Sequence, residues 1–149
     1  MSFTIVELSA RIIAGITMRT KNSDEMTTPK IPAFWQRFQQ EQILNKIPNK
    51  VDPNIMYCVY TDYESDFTGE YTLLMGAQVS TAEKLPVDLK FCSIPQQKYA
   101  LFVANSPEEI LPTWIQIWNT PNLNRAYTAD FQMHDLTTGK INIYTALKV

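Results

Sequence analysis

The chain has 149 residues, enough for one domain with a substantial buried core, and its 45% hydrophobic content is ordinary for a globular protein. Four glycines and 11% aromatic residues describe an ordered chain, not a disordered one. A formal net charge of -2, without any Lys/Arg cluster, argues against direct nucleic-acid binding. No apolar run approaches the length of a membrane span, and the N-terminus lacks the basic start and apolar run of a signal peptide. Cys58 and Cys92 stand alone in apolar stretches and read as free thiols, which fits a cytoplasmic protein.

The first strand is expected within a few residues of Met1. Ile12, Ala14, Ile16 and Met18 then alternate with Ile13, Gly15, Thr17 and Arg19, the two-residue period of a half-buried strand. Residues 21–30 read as a loop. Ile31, Phe34, Trp35 and Phe38 step three, one and three residues and lay one apolar stripe along a helix. Strand-like runs follow over residues 55–61 and 71–79, joined near Thr68-Gly69, and residues 80–89 read as a linking loop.

Beyond the linker, residues 99–104 form another extended run. Ser106, Pro107 and Glu109 have the pattern of a capping box with proline in the first turn. Leu111, Trp114, Ile115 and Trp118 repeat the steps of the first helix. Either that helix starts near Leu111 or Pro112 kinks it. Residues 126–134 and 141–149 read as strands around Thr138-Gly139, and glycine in both Thr-Gly steps is expected to supply the positive φ of a hairpin turn.

The two halves, approximately 1–80 and 90–149 of a single 1–149 domain, therefore read alike. Tyr60-Thr61-Asp62-Tyr63-Glu64 echoes Tyr127-Thr128-Ala129-Asp130-Phe131-Gln132, and Asp66-Phe67-Thr68-Gly69-Glu70 echoes Asp135-Leu136-Thr137-Thr138-Gly139-Lys140. The expected fold is α+β: a duplicated strand–helix–strand–strand module. One antiparallel sheet would carry both helices on one face, because each helix has a single stripe to bury, leaving a groove between them.

Catalytic patterns are sparse. His134 is the single histidine and reads as a surface strand residue, and neither cysteine has a basic neighbour in sequence. Metal-ligand clusters and phosphate-binding glycine loops are missing, so no cofactor or metal is expected. Glu108 and Glu109 suit the positive end of the second helix. Aromatic density is the salient feature: Trp35, Trp114 and Trp118 on the helices, and Tyr57, Tyr60, Tyr71, Tyr127 and Tyr144 on strands. Core packing accounts for most of these, but an apolar groove with a few polar groups is also the makeup of a small-molecule pocket, one suited to flat or cationic ligands.

The chain resembles the bacterial GyrI-like (gyrase-inhibitor-like) domains, which also serve as effector-binding domains of AraC-type and multidrug-responsive regulators. The resemblance rests on Ala14-Gly15-Ile16 with Arg19-Thr20, Phe34-Trp35-Gln36-Arg37-Phe38, Val59-Tyr60-Thr61-Asp62-Tyr63-Glu64-Ser65-Asp66, Tyr99-Ala100-Leu101-Phe102 and Tyr127-Thr128-Ala129-Asp130-Phe131. It implies a ligand groove between the helices, with an acid after the second-half aromatic to pair with cationic drugs. Here that position is Gln132, which offers only neutral hydrogen bonds, and His134 stands where an aromatic is usual. Glu64 is the counterpart of Gln132 in the first half. The ligand-binding residues expected on this basis are Trp35, Tyr57, Glu64, Trp114, Trp118, Gln132 and Tyr144. The resemblance implies a stand-alone small-molecule binding or sensor domain with no helix-turn-helix segment and no direct DNA contact. Two alternatives stay open, a hydrolase of reactive small molecules and a binder of a gyrase-like protein. An amide at Gln132 cannot act as general base, which weighs against the first.

Overall fold

The computed structural model describes residues 3–148. Its strands are β1 (Thr4–Leu8), β2 (Arg11–Lys21), β3 (Ile55–Thr61), β4 (Glu70–Val79), β5 (Lys90–Ile94), β6 (Gln97–Ala104), β7 (Ala129–Asp135) and β8 (Ile141–Ala146). Its helices are α1 (Asn22–Thr27), α2 (Ile31–Gln40), α3 (Ile43–Lys46) and α4 (Ile110–Trp118). The strands make one antiparallel eight-stranded sheet in the order β1-β6-β8-β7-β3-β4-β2-β5. The inner strands β6-β8-β7 and β3-β4-β2 mirror each other about the β3–β7 pair. This is the α+β arrangement that the strand alternation and the two helical stripes predict.

Side-chain alternation divides the two faces. On β3, Met56 and Cys58 pack beneath α2 with Phe34 and Phe38, while Tyr57 and Val59 point the other way, among Tyr99, Phe131 and Tyr144. Helix α4 sets Trp114 and Ile117 on Ala100, Phe102, Ile141 and Ile143. Tyr60 packs against both helix-side clusters and so marks the seam between α2 and α4. Gly15 opposes Gly76 in the β2–β4 ladder, and a Cβ on either would collide with the facing backbone.

Several expectations are corrected. Residues 22–27 form α1 instead of a loop. It buries no residue, so no apolar stripe announces it, and acidic Asp24 and Glu25 occupy its first turn. Strand β5 was not expected, and its mostly exposed residues explain why. Strand β7 starts at Ala129 and not at Ala126, because Asn124 and Tyr127 have left-handed backbones, with φ of 60° and 55°. In the final strand Ala146 is the last residue, and Val149 lies outside the described residues. Ser106 precedes a short 3-10 turn, Pro107–Glu109, without a side-chain cap; Glu109 instead accepts from the Asn105 N–H at 3.3 Å. Pro112 falls in the first turn of α4, where its missing donor has no partner to lose. Gly139 has the expected positive φ of 80°. Gly69 does not belong to that class: its φ is not positive, and a Cβ there would meet only the Ser65 and Glu64 side chains, which can move.

Candidate functional site

Between α2 and α4 the structure holds a cleft of about 210 Å³. Its floor is Tyr60 of β3 and Tyr71 of β4, with ring centroids 5.6 Å apart. Trp114 of α4 meets Tyr60 edge-on at 5.1 Å, and Tyr63, from the β3–β4 connection, stands 6.0 Å from Tyr71. Phe67 and Trp118 stack at 6.1 Å along one wall. Ile31, Ile110 and Leu111 supply aliphatic edges, and Asn22, Glu25 and Met26 of α1 form the opposite lip. Offset and edge-on rings of this kind present both π faces and ring edges to whatever enters.

Two charged side chains line this aromatic cleft. Glu25 reaches back from α1 to α2, whose preceding residue, Lys30, provides no side-chain cap. Its Oε1 accepts from the backbone N–H of Lys30 and of Ile31, each at 2.9 Å, and its Oε2 accepts from the Thr20 hydroxyl at 2.5 Å. A carboxylate at a helix N-terminus with three donors is held in place. Arg125, just before β7, donates from Nη2 to Asp130 Oδ2 at 2.6 Å, and both side chains are almost fully buried. Asp130 also accepts from the Tyr63 hydroxyl at 2.5 Å and from the Ala146 N–H at 2.7 Å. Burial and the neighbouring Asp130 charge raise the Tyr63 phenol well above its ordinary pKa, so Tyr63 stays a donor at neutral pH. The ion pair cancels within itself, which leaves Glu25 as the charged side chain of the lining with hydrogen-bond donors but no ion-pair partner among the described residues.

The residues expected at the groove divide three ways. Trp114 and Trp118 line the cleft. Tyr57 and Tyr144 do not: strand alternation sends them to the opposite face, where each packs against Phe131, at 5.6 and 4.9 Å. Trp35 and Gln132 are on the helix face but outside the lining. Trp35 stacks on Phe38 at 5.8 Å and leans on His134 at 6.1 Å. Gln132 Nε2 donates to the Tyr60 hydroxyl at 2.8 Å, and its Oε1 lies 2.8 Å from His134 Nε2, so this amide supports the floor from behind. Glu64 is exposed beside Gly69 and does not line the cleft either. His134 is half-buried on its strand: burial depresses its pKa to about 4, so the ring is neutral near pH 7 and Nε2 serves as donor to Gln132.

Of the lining, only Trp114 and Trp118 were expected as ligand contacts; Tyr60, Tyr63, Phe67 and Tyr71 were not, and Glu25 and Arg125 are the charged lining residues that sequence reasoning missed. The signal for Glu25 was a proline-started helix with no capping residue of its own and an acid a few residues upstream. For Arg125 it was an arginine and an aspartate five residues apart at the start of a buried strand.

A family model for Cass2, the integron-associated effector binding protein, matches residues 4–147. The chain belongs to this family. Effector binding is the role by which the family is described. A Bacillus subtilis (strain 168) protein, YobU, named as a candidate transcriptional regulator, is 29% identical over 97% of this chain and 96% of its own length. The integron cassette protein VCH_CASS2 of Vibrio cholerae shares 29% identity and superposes with a TM-score of 0.80, covering 98% of this chain and 95% of that one. The fold is also that of SAV2435, solved bound to tetraphenylphosphonium, at 14% identity and a TM-score of 0.79 over 99% of this chain and 94% of that one. The effector-binding assignment of this Cass2-family chain thus agrees with the GyrI-like resemblance. Among the described residues no helix is long and apolar enough to cross a membrane, and no group of His, Cys, Asp and Glu could hold a metal ion.

Proposed function

We propose that the cleft binds a flat, lipophilic aromatic effector carrying positive charge, with Glu25 as its counter-charge. The observation behind this reading is a carboxylate without an ion-pair partner in a wall built mainly of Tyr60, Tyr71, Trp114 and Trp118, where the other charge, Arg125, is paired with Asp130. A cation there gains from the carboxylate and from the π faces together, and apolar surroundings strengthen both attractions. The tetraphenylphosphonium bound to SAV2435 is also a lipophilic aromatic cation, though tetrahedral and not flat.

Binding without turnover is the reading the side chains favour. The Cys58 thiol is buried and pushed up to about 12, and Gln132 carries no charge with which to take a proton. A cytoplasmic setting agrees with the two free thiols, and direct DNA contact has no basic surface behind it.

The test is a tryptophan-fluorescence titration of N-methylacridinium and its uncharged isostere 9-methylanthracene. The wild-type protein should prefer the cation by about tenfold or more, as for a charge-assisted contact. Glu25→Gln should erase most of that preference without unfolding, because the amide oxygen can still accept from Lys30 and Ile31. Equal affinity of the wild-type protein for both compounds refutes Glu25 as the counter-charge.

A further inference from the structure

We propose that Arg125 and Trp114 form an acceptor subsite at the inner end of the cleft, which takes a carbonyl oxygen borne on the aromatic effector. This inference rests on the cleft being the effector site and adds the functional group that the effector presents. Its basis is a set of buried donors with nothing to donate to. Trp114 Nε1, Arg125 Nε and Arg125 Nη1 are buried without a hydrogen-bond partner, and both residues line the cleft. Arg125 and Trp114 are each only 7% exposed. The guanidinium carbon lies 5.7 Å from the Trp114 ring centroid, so the unpaired donors belong to one neighbourhood.

Buried donors are nearly always paired in folded proteins, and an unpaired one carries a desolvation cost. The ion pair does not account for these. Asp130 takes only Nη2, leaving the Nε and Nη1 donors idle, and a lysine would have served Asp130 without creating them. Stacking does not account for them either. The guanidinium lies over the Tyr127 ring, 4.4 Å from its centroid, which covers a face, whereas the N–H bonds lie in the guanidinium plane. Three donors and no acceptor call for a ligand oxygen with lone pairs.

The charge balance selects which oxygen. Arg125 is already neutralised by Asp130, and Glu25 is on the same cleft, so a carboxylate would meet net repulsion. A neutral carbonyl conjugated to the ring system accepts two donors, stays in the plane of the aromatic body and adds no charge. The effector class is therefore a flat polycyclic aromatic cation that also bears a ketone or amide carbonyl.

Fluorenone and fluorene differ only in that one has a carbonyl where the other has a methylene. Titration of each should show fluorenone binding the wild-type protein about tenfold more tightly, as expected for hydrogen bonds to a charged donor. Trp114→Phe, which keeps an aromatic ring and loses Nε1, and Arg125→Lys, which keeps the charge and loses the Nε edge, should each shrink the fluorenone-to-fluorene ratio measured within the same variant, whatever happens to the affinity for fluorene itself. In the wild-type protein the indole N–H resonance missing from Trp114→Phe should move on adding fluorenone and stay put with fluorene. Equal affinities in the wild-type protein, or a preference that survives in both variants, overturn the subsite while the cleft stands. Failure of fluorene, fluorenone and N-methylacridinium alike to bind overturns the cleft reading and the subsite with it.

Discussion

The two faces of the sheet carry comparable sets of aromatic rings and use them differently. On the face without helices, Tyr57, Tyr99, Phe131 and Tyr144 close on one another at centroid separations of 4.9 to 5.9 Å. On the helix face, Tyr60, Tyr63, Tyr71 and Trp114 sit at similar spacings, 5.1 to 6.0 Å, yet they border a cleft. Ring density is the same; the support differs. Helices α2 and α4 each bury one stripe on the sheet and stand apart at the Tyr60 seam, so the rings between them lack a covering layer. Aromatic content therefore marks where apolar surface is concentrated, and the helix spacing decides whether it is core or site.

That comparison predicts opposite outcomes for truncating a ring on each face. Phe131, with no exposure, sits at the centre of the helix-free cluster, and Phe131→Ala should cost about 3–5 kcal/mol as a cavity opens among rings that cannot all collapse. Trp118, half-buried on the cleft wall, should cost roughly 1–2 kcal/mol on truncation to alanine and should also weaken N-methylacridinium binding. Urea midpoints combined with dye titration separate the two variants. If Phe131→Ala alters dye affinity while Trp118→Ala does not, the cleft has been placed on the wrong face.

How much of this was legible in the sequence follows the same division. The inner strands announce themselves, because β2, β3 and β4 bury alternate residues on two distinct faces. The two helices are announced by their apolar spacing, although in α4 the expected stripe is half wrong, since Leu111 and Ile115 are exposed and Thr113, Trp114 and Ile117 are buried. Edge strand β5 and helix α1 bury too little to carry a period. Facing is harder to read than existence. Tyr57 and Tyr60 lie on one strand three residues apart, so they must point to opposite faces, but only the finished sheet tells which face receives the helices. Glu25 and Arg125 were invisible for a further reason. Each has its partner only five or six residues along the chain, the bare amides of α2 in one case and Asp130 in the other, but the local pattern does not say that the pair is buried at a cleft, which the packing of the sheet and helices decides.

The support behind the floor responds to pH. Below about pH 6.5 the unfolded chain protonates His134, but the folded chain, with the ring depressed to about 4, does not until the pH is much lower. The unfolded state then binds more protons, so stability falls as pH drops through this window, by about 2 kcal/mol at pH 5. Urea midpoints at pH 7 and pH 5 should show that loss in the wild-type protein and a much smaller one in His134→Gln. An unchanged slope in the variant would assign the acid sensitivity to other groups.

The smallest expected effect is at Gln132, and it sharpens the distinction between lining and support. By family resemblance alone, Gln132→Glu would create a cation site. In the structure the side chain stops behind Tyr60, bonded to its hydroxyl and to His134, with neither oxygen nor nitrogen on the cleft wall. A glutamate there would accept from His134 Nε2 at the same short range and raise the histidine pKa, drawing a proton onto the ring and cancelling the new charge locally. The Tyr60 hydroxyl would turn from acceptor to donor, which costs no contact. N-methylacridinium affinity should therefore change by less than about threefold, under about 0.7 kcal/mol, against the tenfold expected for Glu25→Gln. The His134 titration, followed by NMR, should move upward in the variant. A large gain in dye affinity with His134 unmoved would mean that the carboxylate reaches the ligand past Tyr60, and Gln132 would then belong to the cleft itself.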